Sequence, residues 1–495
     1  MISKTGFDND KYLSMQSQYI EERIAKFGSK LYLELGGKLF DDFHASRVLP
    51  GFKPDSKVKM LLNLKDEIEI VITICAMDIV KNKIRGDYNI SYDQDVLRLI
   101  DAFRTIGLYV GSVVITQYSG QPSVTSFKQK IENLGMKVYL HYPIEGYPAN
   151  VELIVSDDGY GKNDYIETER PLVVVTAPGP GSGKMAVCLS QLYHENKRGV
   201  KAGYAKFETF PVWNLPLNHP VNLAYEAATA DLNDVNMIDP YHLNAYGETT
   251  VNYNRDIEVF PVLNTIFKKI LGESPYKSPT DMGVNMAGNC IFDDDAVCEA
   301  SKKEIIRRYY NTLNDVKKGL TTMDAVYKIE LIMNQAGITV DDRKVARAAL
   351  EKAELTGGPA AAIELPDGTI VTGKTSDLLG ASAATILNAL KVLAGIDDSV
   401  CLISPQVIEP IQNLKTNNFG NHNPRLHIDE TLIALAMSAT TDKTAAKAFA
   451  KLEELRTLEA HSSVILSQID TSTFKKLGIN LTCEPVYQTK KLYHA

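Results

Sequence analysis

A chain of 495 residues, of which 44 % are hydrophobic and 23 % charged, has an ordinary globular composition, which excludes a mostly disordered protein. The formal net charge of −8 argues against a nucleic-acid partner, because proteins that bind nucleic acids carry a basic surface. Residues 1–10 are polar, unlike a signal peptide, and no apolar run approaches the roughly 18 residues of a membrane span. We therefore expect a cytoplasmic protein that has no membrane partner.

The segment from residue 31 to residue 197 alternates short apolar runs with helical patterns. The expected strands cover residues 31–35, 68–74, 112–117, 137–141, 152–155 and 171–176, and the expected helices cover residues 94–105, 124–134 and 184–195. Strands that alternate with helices of this length predict βαβ units and a mostly parallel sheet. We expect an α/β fold, with a Rossmann- or P-loop-like domain over residues 1–275 that includes an irregular subdomain at about 202–275.

The rest of the chain has a different character. Helical patterns at residues 296–317, 323–335 and 341–354 predict a small helical domain over residues 276–356. Beyond it, a hairpin around Pro366-Asp367-Gly368 is followed by an expected helix at 377–393 and strands at 399–403 and 480–483. This layout of the C-terminal α/β domain, residues 357–495, resembles the cytidine-deaminase-type fold without its zinc ligands. Zinc-free relatives among formyl-transferring enzymes make one-carbon transfer an alternative function.

A glycine-rich turn joins the expected strand at 171–176 to the following helix. It reads Ala177-Pro178-Gly179-Pro180-Gly181-Ser182-Gly183-Lys184, and its binding candidates are Gly179, Gly181, Ser182, Gly183 and Lys184. Glycines let the backbone approach an anion, the helix start offers unpaired N–H groups, and the lysine adds positive charge. Pro178 replaces the first glycine of a standard phosphate loop, and Met185 replaces the hydroxyl residue that holds Mg²⁺. We interpret the turn as a phosphate or nucleotide site, the cofactor being unknown and a nucleotide with Mg²⁺ one candidate. A turn that only packs helix on strand is the alternative.

A second segment imitates such a loop after the hairpin. Lys374, Thr375 and Ser376 stand between the second hairpin strand and the expected helix, but the first glycine of the motif is missing. We consider them a second candidate anion site, with an ordinary loop as the alternative.

Candidate catalytic residues are scattered along the chain. Lys206 and Glu208 alternate on an expected strand at 204–210, whose carboxyl end would open beside the glycine turn. This pair is either catalytic or a plain salt bridge. The candidates for a general base or for stabilising transition-state charge are His44, Arg47, Glu208, His242 and Arg255. The spacing of His, Cys and acidic residues along the chain predicts no metal site.

Several strings resemble one bacterial family. They are residues 34–42, residues 44–52, the glycine turn, residues 251–256 and residues 372–384. On these strings the chain is identified, over nearly its full length, as resembling the bacterial "domain of unknown function 1846" family. The resemblance implies a cytosolic multidomain α/β protein, and no established reaction comes with it. Lys38, His44 and Arg47 lie after the first strand, where a parallel sheet forms its cleft, so we add Lys38 to the binding candidates.

These observations favour an enzyme that transfers a group to or from a nucleotide or a small phosphorylated molecule, by phosphoryl transfer or in a ligase-like reaction. A non-catalytic metabolite sensor and a structural or assembly protein are the alternatives, because the glycine turn departs from the standard motif. Nothing in the sequence decides between a monomer and a homo-oligomer.

Overall fold

The computed structural model describes residues 4–28, 30–36, 38–86 and 88–489. These residues form two compact units, the first made of residues 5–225 and 234–300 and the second of residues 226–233 and those from 301 onward. Among the described helices, none combines the length and apolar character that crossing a bilayer requires.

The first unit is built around a parallel sheet with helices on both faces. Its strands are β1 (Leu31–Leu35), β2 (Ile68–Cys75), β3 (Ile84–Arg85), β4 (Ile90–Ser91), β5 (Tyr109–Thr116), β6 (Lys137–Leu140), β7 (Leu172–Thr176), β8 (Gly203–Phe207), β9 (Asn236–Ile238), β10 (Val251–Tyr253) and β11 (Gly283–Val284). Its helices are α1 (Asn9–Lys26), α2 (Phe43–Val48), α3 (Ser56–Asn63), α4 (Ala76–Val80), α5 (Tyr92–Thr105), α6 (Pro122–Asn133), α7 (Val151–Ile154), α8 (Lys184–Lys197), α9 (Pro220–Ala228), α10 (Pro240–Tyr246), α11 (Asn254–Leu271) and α12 (Pro279–Met282), with α13 (Asp294–Lys317) running on into the second unit.

The large sheet has the strand order β11-β8-β1-β7-β2-β5-β6, and every neighbouring pair is parallel. Strands β1 and β7 are buried along their whole length, which explains their nearly continuous apolar sequences. The expected α/β class is confirmed. Side chains of β7, α8 and α11, among them Val173, Leu192 and Phe260, form one buried core cluster.

Chain order and sheet order differ at the centre of this sheet. Strand β1 is followed along the chain by β2, yet β7 lies between them, and β8 then pairs with the other edge of β1. The connections after β1 and β7 therefore leave in opposite directions. In open parallel sheets, a crevice forms at the carboxyl ends of two such strands.

Two details of the first unit differ from the sequence expectation. Residues 152–155 were predicted as a strand, but residues 152–154 belong to the short helix α7 and Val155 follows it, because the Asn150 side chain accepts a hydrogen bond from Leu153 N (3.2 Å) and caps the helix. Helix α11 lies in the segment at about 202–275 that was expected to be irregular, and it continues through Pro261, although proline normally interrupts a helix.

The second unit has a four-stranded sheet of order β13-β12-β14-β15. Its strands are β12 (Ala360–Glu364), β13 (Ile370–Lys374), β14 (Glu459–Ser462) and β15 (Asn480–Cys483). Strand β12 is antiparallel to β13 and β14, whereas β14 and β15 are parallel. The predicted hairpin is thus confirmed. The helices are α14 (Met323–Ala336), α15 (Lys344–Thr356), α16 (Ala381–Leu393), α17 (Pro405–Asn413), α18 (Ile428–Ser438), α19 (Lys443–Phe449) and α20 (Gln468–Lys476).

Neighbouring residues of β12 pack on opposite helices. Ala362 contacts the cluster of Val345 and Ala349 on α15, whereas Ile363 belongs to the cluster that contains Ile386 on α16. The predicted strand at 399–403 is wrong. Leu402 and Ile403 are buried in the second of these clusters, but the chain there is irregular between a turn at residue 397 and Pro405 at the start of α17.

Candidate functional site

The glycine turn follows β7 at the crevice between the carboxyl ends of β1 and β7. Gly183 is the N-terminal cap of α8 with a φ of +83°, and Gly181 has a φ of +79°, both in the left-handed region that glycine adopts without strain. A Cβ atom on Gly181 would meet nothing within 4 Å, so this part of the turn is open. A Cβ atom on Gly179 would lie 2.2 Å from Tyr92 Oη, so Gly179 is required by packing.

The turn presents unpaired backbone donors at the start of a fourteen-residue helix. Helix α8 has no side-chain cap, and within the described residues the N–H groups of Ser182, Gly183 and Lys184 have no hydrogen-bond acceptor. The Lys184 side chain reaches toward the loop after β1, because a Cβ atom on Gly36 would lie 3.9 Å from Lys184 Cε. Unpaired N–H groups, the positive end of a helix and a lysine are the components of an anion site.

Ser182 stabilises the turn from within. Its hydroxyl donates to the Gly179 carbonyl at 3.0 Å, and its own carbonyl accepts from Thr116 Oγ1 at 3.0 Å. Ser182 is fully buried, so its hydroxyl is engaged in this hydrogen bond within the turn. Met185 packs against the apolar core of the first unit, and no hydroxyl stands where a standard phosphate loop holds Mg²⁺.

A small indentation of about 10 Å³, the size of a single water molecule, lies beside the first residue of the turn and is lined by two arginines. Its walls are formed by Leu39, Phe40, Asp41, Arg85, Arg98, Leu99 and Ala177. Arg85 and Arg98 both bind the buried Asp95, at 2.8 and 2.5 Å, and both guanidinium groups lie against the ring of Tyr88. The two cations are thus fixed in place next to the loop after β1.

Four ionisable side chains meet at the carboxyl end of β8. Lys206 Nζ lies 2.9 Å from Glu208 Oε1, and it also forms an ion pair with Asp256 and a hydrogen bond to the Tyr253 hydroxyl. Tyr253 in turn donates to Glu208 Oε1 at 3.2 Å. The side chains of Lys206, Glu208 and Asp256 are at most 14 % exposed. We call these four residues the acid–base cluster.

The protonation of this cluster is set by burial and by its own charges. Burial raises the pKa of Glu208 to about 7, against the opposing charge of Lys206 and with a contribution from Asp256. Burial opposes the charge of Lys206, but the carboxylates of Asp256 and Glu208 outweigh it and hold the Lys206 pKa well above its usual range. A carboxyl group with a pKa near neutrality can take up and release protons under physiological conditions.

Aromatic and charged residues surround the cluster. Tyr225 is stacked on Phe210 with centroids 5.5 Å apart, and the His44 ring meets the Phe210 ring edge-on at 5.4 Å. Arg255 binds the buried carboxylate of Asp234 through two nitrogens, at 2.6 and 2.7 Å. Burial raises the pKa of Tyr225, and the charges that act on it are those of Asp234, Lys206, Glu208 and Asp256. His44, Glu208 and Arg255, all expected from the sequence, are therefore brought into one region.

His242 lies on a different helix from these residues, whereas Arg47 shares α2 with His44. His242 Nδ1 lies 2.9 Å from Ser278 Oγ, the residue that caps α12, and its ring packs on Tyr246 of its own helix α10. Arg47 lies in the last turn of α2, and Lys38 is exposed in the loop after β1.

The second candidate loop does not have the expected form. Lys374 is the last residue of β13, and the Ser376 hydroxyl accepts from Leu378 N and Leu379 N at 3.3 and 3.1 Å. Helix α16 begins only at Ala381, so Lys374, Thr375 and Ser376 do not precede a helix start directly.

Sequence reasoning missed part of the site. Tyr253 and Asp256 belong to a string that resembles the family, but nothing in their spacing links them to Lys206, about 50 residues earlier. Arg98 lies on the amphipathic helix α5, where a charged residue is normally a solvated one.

Comparison with known proteins gives a consistent result over the whole chain. The family model described as "Domain of unknown function DUF1846, N-terminal" matches residues 5–337, and its C-terminal counterpart matches residues 341–493. The chain is 61 % identical to a UPF0371 protein of Streptococcus pyogenes serotype M5 over 488 residues, which are 99 % of each chain. It is 59 % identical to a UPF0371 protein of Streptococcus thermophilus over 492 residues, 99 % of this chain and all of the relative.

Proposed function

The chain belongs to the DUF1846 family, and we propose that it is an enzyme of group transfer that acts on a phosphorylated small molecule or a nucleotide. The observation that carries the proposal is the buried acid–base cluster at the carboxyl end of β8, in the same sheet as the glycine turn. In this proposal the turn binds the phosphate and the cluster exchanges protons with the reacting group.

The strand order supports separate roles for the glycine turn and the acid–base cluster. Strands β7 and β8 are separated only by β1, so their carboxyl ends lie about 10 Å apart. That distance is comparable to the length of a phosphorylated sugar or nucleoside. The glycine turn then holds the substrate by its phosphate, and the reaction takes place at the opposite end of the substrate. This arrangement favours transfer of a non-phosphoryl group over phosphoryl transfer at the turn, as does Met185 at the position of the Mg²⁺-binding hydroxyl.

The roles of the side chains follow from their charges. Lys184 and the N–H groups of Ser182 and Gly183 bind the phosphate oxygens. Glu208 takes the proton of the attacking group as the new bond forms and passes it to the leaving group as the old bond breaks, while Lys206 stays protonated and holds the two carboxylates in place. Tyr253 connects Glu208 and Lys206 by hydrogen bonds, and Arg255 stands at the edge of the cluster.

The finer fold assignment is part of the proposal. A Rossmann- or P-loop-like sheet accounts for a glycine turn at the crevice between β1 and β7. The strand order β13-β12-β14-β15 fits a zinc-free relative of the cytidine-deaminase-type fold. The proposed function applies equally to a monomer and to a homo-oligomer.

A thermal-shift screen with paired variants tests the binding step. The panel contains sugar phosphates and nucleotides, each with and without Mg²⁺. A ligand at about 100 times its dissociation constant adds about 2.7 kcal/mol to the free energy of unfolding, which raises the melting temperature by a few degrees. Lys184→Ala should abolish the shift, whereas Lys130→Ala, an exposed lysine on α6, should retain it. A shift that survives Lys184→Ala, or a panel without any shift, refutes the phosphate site.

Glu208→Gln tests the catalytic step. The variant should bind the ligand found in the screen with unchanged affinity but should lose conversion of that ligand, followed by mass spectrometry, by a factor of 100 or more, since general acid–base catalysis contributes about 10²–10⁴-fold. Binding without conversion in the wild type would instead indicate a metabolite sensor, the reading that Met185 also favours.

A further inference from the structure

A histidine, a carboxylate and a cysteine converge in the first unit, away from the site described above. His219 Nε2 lies 3.0 Å from Asp294 Oδ1 and 3.5 Å from Cys298 Sγ, and Cys298 Sγ lies 3.7 Å from Asp294 Oδ2. The three residues are distant in sequence, 75 and 79 positions separating the histidine from the other two. Only the folded chain brings them together.

Two elements hold the three side chains. His219 immediately precedes α9 and is 9 % exposed. Asp294 and Cys298 stand four residues apart at the start of α13, so that both side chains lie on one face of this helix. The Asp294 side chain is 64 % exposed, which leaves the cluster open to solvent on one side.

The distances fit a tetrahedral metal centre. Zinc binds sulfur at about 2.3 Å and nitrogen or oxygen at about 2.0 Å, so tetrahedral angles place two ligand atoms about 3.3 to 3.6 Å apart. The separation of His219 Nε2 and Cys298 Sγ, 3.5 Å, falls within this range. Asp294 approaches the two through different oxygens, Oδ1 at 3.0 Å from the histidine and Oδ2 at 3.7 Å from the cysteine, and one ligand atom from each residue lies within 4.8 Å of the other two. We propose that His219, Asp294 and Cys298 bind a divalent transition-metal ion, with Zn²⁺ preferred. The fourth coordination position of the ion is then taken by water or by a ligand atom.

The donor set selects the kind of metal. A thiolate with an imidazole and a single carboxylate suits Zn²⁺, whereas Mg²⁺ and Ca²⁺ require a shell of oxygen atoms. Three protein ligands with one open position resemble the coordination of sites at which zinc activates water. The site stands on its own geometry and does not depend on the proposed group transfer.

Metal binding has to displace protons from this cluster. Val221 N donates to His219 Nδ1 at 3.2 Å, so the neutral imidazole carries its hydrogen on Nε2, which donates to Asp294. On binding, the imidazole hydrogen moves from Nε2 to Nδ1, so His219 stays neutral, its contact with Val221 N is lost, and Cys298 Sγ releases its proton to solvent. That contact is a single hydrogen bond between neutral groups, and it is the weakest of the interactions that change on metal binding.

Cobalt and zinc titrations of the full-length protein test the proposal. Apoprotein is prepared by dialysis against a chelator and then titrated with Co²⁺, whose bond to a thiolate gives an intense charge-transfer absorption. One equivalent of Co²⁺ should produce this band, and Zn²⁺ should displace it. Cys298→Ser should abolish the band, and His219→Gln should weaken binding of Zn²⁺, measured by competition with a chelating dye, by about tenfold or more.

Controls separate loss of metal from loss of fold. Cys401→Ser removes an exposed cysteine of the second unit and should leave the band unchanged. Each variant is compared by circular dichroism without metal, and the zinc-dependent rise in melting temperature is measured in parallel. If a variant unfolds, the more conservative Asp294→Asn replaces it. A cobalt complex without a thiolate band, or equal zinc affinity in the wild type and in folded His219→Gln, overturns the proposal and leaves a hydrogen-bonded cluster.

Discussion

The Tyr253 hydroxyl donates to Glu208 Oε1 across 3.2 Å, although the two residues are 45 positions apart. Tyr253 ends β10 and Glu208 follows β8, so the contact joins the parallel sheet to the start of α11. Because the same hydroxyl accepts from Lys206, the three groups share their protons through one hydrogen-bonded chain.

Replacement of Glu208 by glutamine should remove a pH dependence of stability. The pKa of Glu208 is raised from 4.5 to about 7 by burial, so between these values the folded protein holds a proton that the unfolded chain has lost. The contribution of Glu208 is therefore fully present below pH 4.5 and is lost as the pH rises toward 7, by at most about 3 kcal/mol. Denaturant titrations at several pH values should show the stability of the wild type falling relative to Glu208→Gln across this window. The exposed Glu145→Gln serves as the control and should show no such trend.

Replacement of Gly179 by alanine should destabilise the first unit through Tyr92. The added Cβ atom would lie 2.2 Å from Tyr92 Oη and 2.8 Å from Cζ, so the ring has to move. Overpacking of this kind costs about 1–3 kcal/mol. The double variant Gly179→Ala/Tyr92→Phe, which lacks the nearest atom, should recover part of that loss in thermal unfolding. An unchanged loss in the double variant would show that the ring is not the obstacle.

Gly181 offers a comparison within the same turn. Its φ of +79° disfavours alanine, but a Cβ atom there meets no neighbour within 4 Å. Gly181→Ala should therefore cost only the strain of a left-handed residue, about 1–2 kcal/mol. A larger loss of melting temperature than in Gly179→Ala would contradict the geometry of the turn.

Glu459 should be the most sensitive charged residue of the second unit. It binds two buried arginines, Arg307 and Arg343, at 2.5 Å each. Burial opposes its ionisation, but these two cations outweigh burial and hold the pKa of Glu459 below its usual range. Glu459→Gln leaves buried positive charge without its partner and should lower the free energy of unfolding by about 3–5 kcal/mol.

The pH dependence and a surface pair provide the controls for Glu459. Because its folded pKa is depressed, its contribution is present above the ordinary carboxyl pKa and is lost as the pH falls through the folded value. The gap between wild type and Glu459→Gln should thus narrow in acid. Arg347→Ala breaks an exposed pair with Glu351 and should change stability by less than about 1 kcal/mol.

His427 should stabilise the second unit in mildly acidic solution. Its Nδ1 lies 2.9 Å from Asp470 Oδ2, and this hydrogen bond raises the pKa of His427 against the effect of burial. The stabilisation is fully present below the unfolded histidine pKa of about 6.5 and is lost as the pH rises through the higher folded value. Melting temperatures of wild type and His427→Gln should differ most near pH 5.5 and converge at alkaline pH. His422→Gln, an exposed histidine, should show no such convergence.

Apolar runs allowed much of the fold to be predicted, and their failures have physical causes. The runs at 31–35 and 171–176 are long enough, and rich enough in branched residues, to specify buried strands. A run of four residues at 152–155 fits a strand or a helical turn equally, and the Asn150 cap decides for the helix. The apolar run at 399–403 predicts a strand, but no neighbouring strand pairs with it among the described residues.

The candidate site was predicted in part for a similar reason. Local order along the chain identifies the glycine turn, because a strand, glycines and a helix follow one another directly. Glu208 and Arg255 were named individually, but their meeting with Tyr253 and Asp256 depends on how α11 packs. The cluster of His219, Asp294 and Cys298, for which we propose metal binding, arises between segments about 75 residues apart, and chain spacing carries no signal of it.

The position of β7 between β1 and β2 has a consequence for synthesis of the protein. Residues 31–35 leave the ribosome about 140 residues before residues 172–176, the first strand with which β1 can pair. At about 5–20 residues per second, β1 remains without a partner for roughly 7 to 28 seconds, while β2, β5 and β6 can already associate. During this interval an apolar strand and an open sheet edge are both exposed to other chains. A nascent chain arrested before residue 172 should therefore depend on chaperones, and release of that dependence should coincide with the insertion of the strand that carries the glycine turn.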